Sequence, residues 1–477
     1  MRLTCAEMAA HLGLPLPDGL RRDGAAEPIS DVVTDSREAR AGSLFVCIVG
    51  ERADGHDFAA KAVQNGAAAV LAARPLPGVT VPVLVVEDTV RALGRLAGLW
   101  RSRTGARVVG ITGTCGKTTL KETLACLLSV CGKTARTLLN HNNQIGLPRD
   151  MLRTDGDEAF WVLEAGISHE GDMDELGSII RPDIALILNV GPGHTAGLGE
   201  KGVAWHKARL LSHAAPGGQG LVSADYPDLV AETADASCEL RFFSAGNGRS
   251  FRSADYRAQY LGAGQSSGHG LYKLFLAGES CRIEAPFQGA HGAENCIAAA
   301  ACAHMLGLAP EDIAEGFRRV VLPPQRFHCM RIGIWEIVDD TYNANPLSMR
   351  RMLDAAVARA QGEPFIAVLG EMGELGAAAG ELHEELGRYL AALHPAAVFW
   401  KGGHAEDVCA GLKQGGYKGP WLPVAGAEAF MDAWKGICGD RGGLVLFKGS
   451  RANRLDNLLA AFLEWSGAPV GGTGHVL

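Results

Sequence analysis

The sequence predicts a three-domain α/β protein. Two observations support this prediction: the length of the chain and the alternation of strand and helix patterns along it. With 477 residues, the chain is long enough for about three domains. Two near-continuous apolar runs, "FWVLEAG" (160–166) and "DIALILNVG" (183–191), are typical of parallel strands that are buried on both faces. Helical patterns separate such runs along most of the chain, which favours sheets connected by crossover helices.

The first predicted domain covers residues 1–102. Within it, "LFVCIVG" (44–50) and "AAAVLAA" (67–73) read as strands. The opening stretch "MRLTCAEMAAHLGLPLPDG" lacks the uninterrupted apolar segment of a signal peptide and predicts a short amphipathic helix. A helix over "TVRALGRLAGLWRSRTG" (89–105) leads into the next domain.

The second and third predicted domains cover residues 103–325 and 326–477, with "LPPQR" (322–326) at their boundary. Within the second, residues 215–285 are more polar, and the alternation in "LYKLFLAG" indicates an antiparallel excursion. The third holds four strand candidates separated by helical patterns, which predict a Rossmann-like parallel sheet. These candidates are "IWEIVDD", "PFIAVLG", "AAVFWKG" and "GLVLFKGS".

Composition narrows the class of protein. A hydrophobic content of 47% with no run of about 18 apolar residues indicates a globular chain without a membrane span. A formal net charge of −8 argues against nucleic acid as the main partner. The 12 cysteines form no C-x-x-C pair, which indicates reduced thiols and a cytoplasmic protein.

The segment "GITGTCGKTT" (110–119) has the composition of a phosphate-binding loop, although its glycines do not fit the usual pattern G-x-x-x-x-G-K-[ST]. It lies between a predicted strand, "ARVVGIT", and a predicted helix that begins at Lys117, with Gly132 as its C-cap. Strand, glycine turn and helix together direct backbone N–H groups at an anion. Lys117 would then face the β- and γ-phosphates of ATP, and the Thr118 hydroxyl would reach Mg²⁺. The second domain is therefore predicted to be a parallel-sheet P-loop ATPase domain.

Other polar side chains near this loop allow more than one interpretation. Cys115 lies inside the loop, where a helix N-terminus predicts a reactive thiolate, unless the residue serves only for its small size. Glu164 ends a buried strand and is either a Mg²⁺ ligand or a salt-bridged glutamate. His194 follows the next strand, but Mg²⁺ prefers oxygen ligands. "NHNNQIGLP" (140–148) is compatible with an ordinary polar loop, whereas the denser "DDTYNANP" (339–346) favours a site.

These segments together resemble the Mur ligases of peptidoglycan synthesis over nearly the whole chain and in the same order. The matching motifs are "TGTCGKTT", "NHNNQIGLP", "LEAGISHEGDMDEL", "RPDIALILNVGPGH", "DDTYNANP", "VLGEMGELG" and "KGSR". The stretch that begins "VTDSREARAGSLFVCIVG" resembles the uridine-nucleotide domain of that family. The phosphate loop of the family is shorter than the usual form, which accounts for the unusual glycine spacing.

The resemblance implies a role for each matching residue. The residues implied to bind ATP are Gly113, Thr114, Gly116, Lys117, Thr118, Thr119, Asn295, Arg326 and Asp340. The residues implied to hold Mg²⁺ are Thr118, Glu164, His194 and Lys207, with Lys207 as a carbamylated lysine. The residues implied to contact the other substrates are Ser36, Arg37, Asn142, Asn143, Tyr342, Asn343 and Asn345. The residues implied to be catalytic are Lys117, Glu164, His194 and Lys207.

The resemblance also implies an activity. "DDTYNANP" and "GEMGELG" are most specific to the ligase that joins D-alanyl-D-alanine to UDP-N-acetylmuramoyl-tripeptide through an acyl phosphate, with ATP converted to ADP and phosphate. The tripeptide ends in either diaminopimelate or lysine, and the enzyme is expected to act as a monomer. The nearest alternative is a Mur-type ligase that adds a single amino acid. A folylpolyglutamate-synthase-like ligase is disfavoured by the D-S-R segment, and a regulatory nucleotide-binding protein by the four residues implied to be catalytic.

Three positions depart from the family pattern. Gly292 stands where a further Asn is usual, which predicts one polar contact fewer near the adenine. Gln325 replaces the usual Gly before Arg326, which predicts a stiffer hinge. Arg209 replaces the usual Glu two residues after Lys207 and predicts a cation beside the carbamate.

Overall fold

The computed structural model describes residues 2–16, 28–193, 197–246, 248–266, 268–287, 289–439 and 441–467. Within these ranges the strands form three sheets of four, nine and six strands, which follow one another along the chain. The predicted three-domain α/β fold class is therefore confirmed. None of the helices in the described ranges is long and apolar enough to cross a membrane.

The first sheet is wholly parallel and has its strands in chain order. Its elements are α1 (Cys5–Leu12), β1 (Asp31–Val33), β2 (Ser43–Val46), α2 (Ala59–Gln64), β3 (Ala67–Ala72), β4 (Val83–Val85) and α3 (Thr89–Arg103). The predicted amphipathic helix at the start of the chain is confirmed as α1. Thr4 and Glu7 form a capping box at its N-terminus, and Gly13 ends it with a left-handed φ of 75°.

The central sheet has the order β13-β12-β11-β10-β9-β8-β5-β7-β6 and is parallel from β6 to β11. Its strands are β5 (Arg107–Thr112), β6 (Thr134–Arg136), β7 (Phe160–Glu164), β8 (Ile184–Ile187), β9 (Gln219–Ser223), β10 (Glu239–Ser244), β11 (Tyr256–Ala263), β12 (Gly270–Leu276) and β13 (Glu279–Ala285). The predicted antiparallel excursion is confirmed for β12 and β13, whereas β9 and β10 continue the parallel sheet.

Eight helices in the described part of the chain accompany this sheet, and α4 follows the phosphate loop. They are α4 (Lys117–Leu128), α5 (Gly146–Leu152), α6 (Asp172–Ile180), α7 (Gly202–Ala208), α8 (Pro227–Ala231), α9 (Arg249–Ser253), α10 (Gly289–Met305) and α11 (Pro310–Arg318). The predicted C-cap at Gly132 is wrong, because α4 already ends at Leu128 and Ser129 continues in a right-handed conformation. Gly132 instead permits a close approach, since a Cβ there would lie 2.7 Å from the Cβ of Ala159.

The third sheet has the order β14-β15-β19-β16-β17-β18, and its pairs are parallel except β14 with β15. Its elements are β14 (His328–Ile332), β15 (Trp335–Asp340), α12 (Pro346–Ala360), β16 (Phe365–Gly370), α13 (Ala379–Leu393), β17 (Ala397–Lys401), α14 (Ala405–Gln414), β18 (Trp421–Pro423), α15 (Ala427–Ile437), β19 (Gly443–Lys448) and α16 (Leu455–Trp465). The four predicted strands are confirmed as β15, β16, β17 and β19. The edge strands β14 and β18 were missed, because they lack a continuous apolar run.

Candidate active site

A cleft of about 490 Å³ lies between the central and third sheets, where the loops after β5, β7, β15 and β19 meet. The carboxyl ends of parallel strands are the usual place for a ligand site in such sheets. Most of the residues proposed from the sequence line this cleft together. They are Thr114, Gly116, Lys117, Thr118, Thr119, Asn142, Asn143, Glu164, Asn295, Arg326, Asp340, Tyr342, Asn343 and Asn345.

The phosphate loop has the predicted strand–glycine–helix geometry. Gly116 adopts a left-handed φ of 78° and caps α4, so Lys117 is the first residue of that helix. Asn189 holds the loop in shape, because its Oδ1 atom accepts hydrogen bonds from the backbone N–H groups of Thr114 and Cys115, each at 3.0 Å. The Nζ atom of Lys117 donates to the Gly113 carbonyl oxygen at 2.9 Å.

Glu164 lies at the end of β7 and is almost wholly buried. Its Oε2 atom accepts a hydrogen bond from the Thr118 hydroxyl at 2.8 Å, and its Oε1 atom accepts one from Asn142 Nδ2 at 2.9 Å. The carboxylate and hydroxyl oxygens beside the phosphate loop are the hard ligands that Mg²⁺ prefers. The donor set therefore fits Mg²⁺. His194 lies outside the described residues.

Lys207 is 1% exposed, and its Nζ atom donates to the same Gly113 carbonyl oxygen as Lys117, at 3.0 Å. Burial lowers the pKa of Lys207 well below its usual range, and the nearby charge of Lys117 lowers it further. Arg209 was expected to place a cation beside Lys207, but it forms an ion pair with Asp174 at 2.6 Å instead. Arg209 therefore does not reach the site around Lys207.

The third domain contributes charged and amide groups. Lys448, at the end of β19, donates to Asp340 Oδ2 at 2.5 Å and to the Asn343 carbonyl oxygen at 2.9 Å. The Arg326 guanidinium lies 4.1 Å from the centre of the Tyr342 ring. Asn345 caps α12 and also reaches across the cleft, where its Nδ2 atom donates to the Thr114 carbonyl oxygen at 3.2 Å.

Three polar residues that shape the site were not proposed from the sequence: Lys121, Asn189 and Lys448. Lys121 has no exposed surface and donates to the carbonyl oxygens of Thr137 at 2.6 Å and Leu139 at 3.0 Å, directly before the loop that carries Asn142. Its position one helical turn after Lys117 could have indicated from the sequence that it lies on the same face of the helix. Asn189 and Lys448 lie in the quoted motifs "LILNVG" and "KGSR".

Ser36 and Arg37 do not line the cleft between the central and third sheets. Ser36 is buried in the first domain, whereas the Arg37 side chain is 86% exposed and forms an ion pair with Asp35 at 2.6 Å. The segment from Asp54 to His56, also in the first domain, supports the fold locally. The His56 ring forms a hydrogen bond with Asp54 at 2.5 Å and accepts one from the Ala73 N–H at 2.8 Å.

The structure bears on the departures from the family pattern at positions 292 and 325 and on the expectation for Cys115. A Cβ at Gly292 would lie 2.5 Å from the Tyr272 hydroxyl, so a larger residue has no room there. Gln325 adopts a left-handed φ of 60°, the conformation that glycine favours. Burial raises the pKa of the Cys115 thiol, which argues against the predicted thiolate and favours a residue chosen for its small size. Asn295 Oδ1 is buried without a hydrogen-bond partner among the described residues.

Comparison with known proteins agrees with the three-domain fold and the site between its sheets. Family models described as the Mur ligase family catalytic domain, the Mur ligase middle domain and the Mur ligase glutamate ligase domain match residues 28–101, 111–303 and 325–451. The UDP-N-acetylmuramoyl-tripeptide–D-alanyl-D-alanine ligase of Escherichia coli is 32% identical over 92% of this chain and 95% of its own.

Two solved structures are similar along almost the whole chain. MurF from Acinetobacter baumannii has a TM-score of 0.86 at 29% identity, covering 97% of this chain and 99% of its own. MurF from Thermotoga maritima in complex with ADP has a TM-score of 0.79 at 29% identity, covering 92% of this chain and 98% of its own.

Fold and site together define an ATP-dependent ligase whose phosphate loop lies in the cleft between the central and third sheets. The chain belongs to the Mur ligase family.

Replacing Lys117 tests the phosphate loop. Lys117→Ala removes a positive charge from the place where the ATP phosphates crowd, so turnover should fall by at least about a hundredfold, which corresponds to about 2.7 kcal/mol. The fold should survive, because Lys207 still donates to the Gly113 carbonyl oxygen. ADP formation measures the effect, and Lys133→Ala, on the surface, is the control. Near-normal turnover by a folded Lys117→Ala variant would contradict the assignment.

Proposed function

We propose that this ligase joins D-alanyl-D-alanine to the terminal carboxylate of UDP-N-acetylmuramoyl-tripeptide. One observation carries the proposal: the phosphate loop and Glu164 of the central domain face Asp340 and Asn345 of the third domain across one cleft. ATP, a carboxylate donor and an amine acceptor can therefore meet at one place. The relatives that match along most of the chain carry the name of this activity.

The reaction proceeds in two steps. A carboxylate oxygen of the donor attacks the γ-phosphorus of ATP, so an O–P bond forms while the bond to ADP breaks. The amine then attacks the acyl carbon, loses a proton, and displaces inorganic phosphate as the C–O bond breaks. Lys117 stabilises the charge that crowds at the γ-phosphate, and bound Mg²⁺ supplies further charge neutralisation at the phosphate oxygens. The contact between Asn345 and the phosphate loop helps to close the cleft, which shields the acyl phosphate from water.

Residues of all three domains are assigned roles in this proposal. Thr118 and Glu164 would hold Mg²⁺, together with His194 and a modified Lys207. Asn295, whose Oδ1 atom has no hydrogen-bond partner in the described part of the chain, contacts the adenine, and Arg326 and Asp340 approach the nucleotide from the third domain. Ser36 and Arg37 contact the uridine nucleotide, while the amides of Asn142 and Asn143 and the polar groups of Tyr342 and Asn343 contact the peptide parts of the substrates.

Lys207 is proposed to be a carbamate in the active enzyme. A neutral amine adds to CO₂ with loss of one proton, and burial favours the neutral amine by lowering the pKa of Lys207. The modification would also relieve the crowding of two amino groups on one carbonyl oxygen, because Lys207 would become an anion beside the Lys117 cation. The resulting carbamate is an oxygen ligand suitable for Mg²⁺.

Depletion of CO₂ and bicarbonate tests the carbamate. Activity should fall on depletion and return when bicarbonate is supplied. Lys207→Arg should be almost inactive, because a guanidinium keeps the charge but forms no carbamate. Lys201→Arg is the control, since Lys201 is exposed and lies over the Trp205 ring near the start of α7. Full activity of Lys207→Arg would refute the modification.

A panel of donors and acceptors tests the substrate assignment. A dipeptide offers an amide that a free amino acid lacks, and a site built around that amide leaves polar groups unpaired with the smaller ligand, which costs about 1–3 kcal/mol per group. Phosphate release should therefore be much faster with D-alanyl-D-alanine than with D-alanine, L-lysine or diaminopimelate. The preferred donor should be the tripeptide. Preference for a single amino acid and the UDP-muramoyl dipeptide would instead assign the chain to the preceding ligation step.

A further inference from the structure

We propose that the ion pair between Glu294 and Arg351 couples docking of the third domain to nucleotide binding in the central domain. Glu294 lies on α10 of the central domain with 5% of its side chain exposed, and Arg351 lies on α12 of the third domain with 19% exposed. The pair is bidentate, since Arg351 Nη1 donates to Oε2 at 2.7 Å and Nη2 donates to Oε1 at 3.2 Å. Paired N–H donors of this kind fix orientation as well as adding energy.

Two neutral groups of the central domain complete the surroundings of the Glu294 carboxylate. The Tyr226 hydroxyl donates to Oε1 at 2.7 Å, and Asn189 Nδ2 donates to Oε2 at 2.9 Å. Each carboxylate oxygen therefore has one neutral donor from its own domain and one donor from Arg351. If the third domain moves away, the carboxylate keeps its hydrogen bonds to neutral groups but loses its cation. A buried charge without its partner is unfavourable, so the pair favours the docked arrangement.

Asn189 connects this carboxylate to the phosphate loop. The same amide that donates to Glu294 accepts from the N–H groups of Thr114 and Cys115, and Arg351 Nη1 lies 3.4 Å from Cys115 Sγ. Without Arg351, Glu294 would place an uncompensated negative charge one hydrogen-bonded residue away from the phosphate loop, and weak screening in this buried region makes its repulsion of bound phosphates strong. The nucleotide should therefore bind more weakly to the undocked state. By reciprocity, a bound nucleotide should favour docking.

The helix α12 is the element through which this coupling acts. Its N-cap residue, Asn345, donates to the Thr114 carbonyl oxygen, and Arg351 reaches the Glu294 carboxylate from the second turn of the same helix. The third domain therefore contacts the phosphate loop and also the Glu294 carboxylate, which bonds to the amide that supports the loop. Arg351 and Glu294 are positioning residues in this account, since they act through the loop.

A double-mutant cycle distinguishes this coupling from direct contact between Arg351 and ATP. Arg351→Met leaves the Glu294 charge uncompensated, so the affinity for a fluorescent ATP analogue should fall about tenfold, within the range typical of coupled sites. Adding Glu294→Gln removes that charge, and the double variant should return to within about threefold of the unmodified protein. Arg350→Met is the matched control, because Arg350 pairs with Glu385 inside the third domain.

The affinities are measured without donor or acceptor, so their outcome does not depend on the substrate assignment. Small-angle scattering with saturating ATP should give a larger radius of gyration for Arg351→Met and for the double variant than for Arg350→Met. Thermal unfolding of each variant verifies that it is folded. If Arg351→Met behaves like Arg350→Met, or if the double variant binds ATP as weakly as Arg351→Met, the proposal is wrong.

Discussion

Two buried lysine side chains share one carbonyl oxygen, that of Gly113, and the rest of the site is arranged around this pair. Lys117 reaches the oxygen from the start of α4, and Lys207 reaches it from α7. Burial lowers the pKa of both lysines. The buried Lys117 ammonium is unfavourable in isolation and becomes favourable when a polyanion such as ATP binds, which places affinity for phosphate where the chemistry occurs.

The parallel strands of the central and third sheets bring the polar groups of the site together at their carboxyl ends. The phosphate loop follows β5, and Glu164, Asp340 and Lys448 are the last residues of β7, β15 and β19. Asn343 lies in the loop after β15. The side-chain amide of Asn189 holds two N–H groups of the phosphate loop and also contacts Glu294. Nucleotide binding, loop shape and the position of the third domain are therefore linked through a few hydrogen bonds.

Much of this could be predicted from the sequence, because local patterns carry the information. The strand, glycine turn and helix around Lys117 indicated the phosphate loop, and the buried strand ending in Glu164 placed that residue beside it. The end of α4 was predicted wrongly, since the tight contact between Gly132 and Ala159 is tertiary. The roles of Asn189, Glu294 and Arg351 could not be predicted, because their partners lie far away in the chain. The buried Lys207 was recognised only through family resemblance, and its low pKa depends on surroundings that no local pattern encodes.

Transfer of a labelled oxygen atom tests most directly whether the ligase forms an acyl phosphate. The donor is prepared with oxygen-18 in both oxygen atoms of its terminal carboxylate, and the phosphate released in the complete reaction is analysed by mass spectrometry. The oxygen that attacks ATP should remain on phosphorus when the amine displaces it, so each phosphate should carry one labelled atom and the new amide should keep the other. Release of unlabelled phosphate would contradict an acyl-phosphate intermediate.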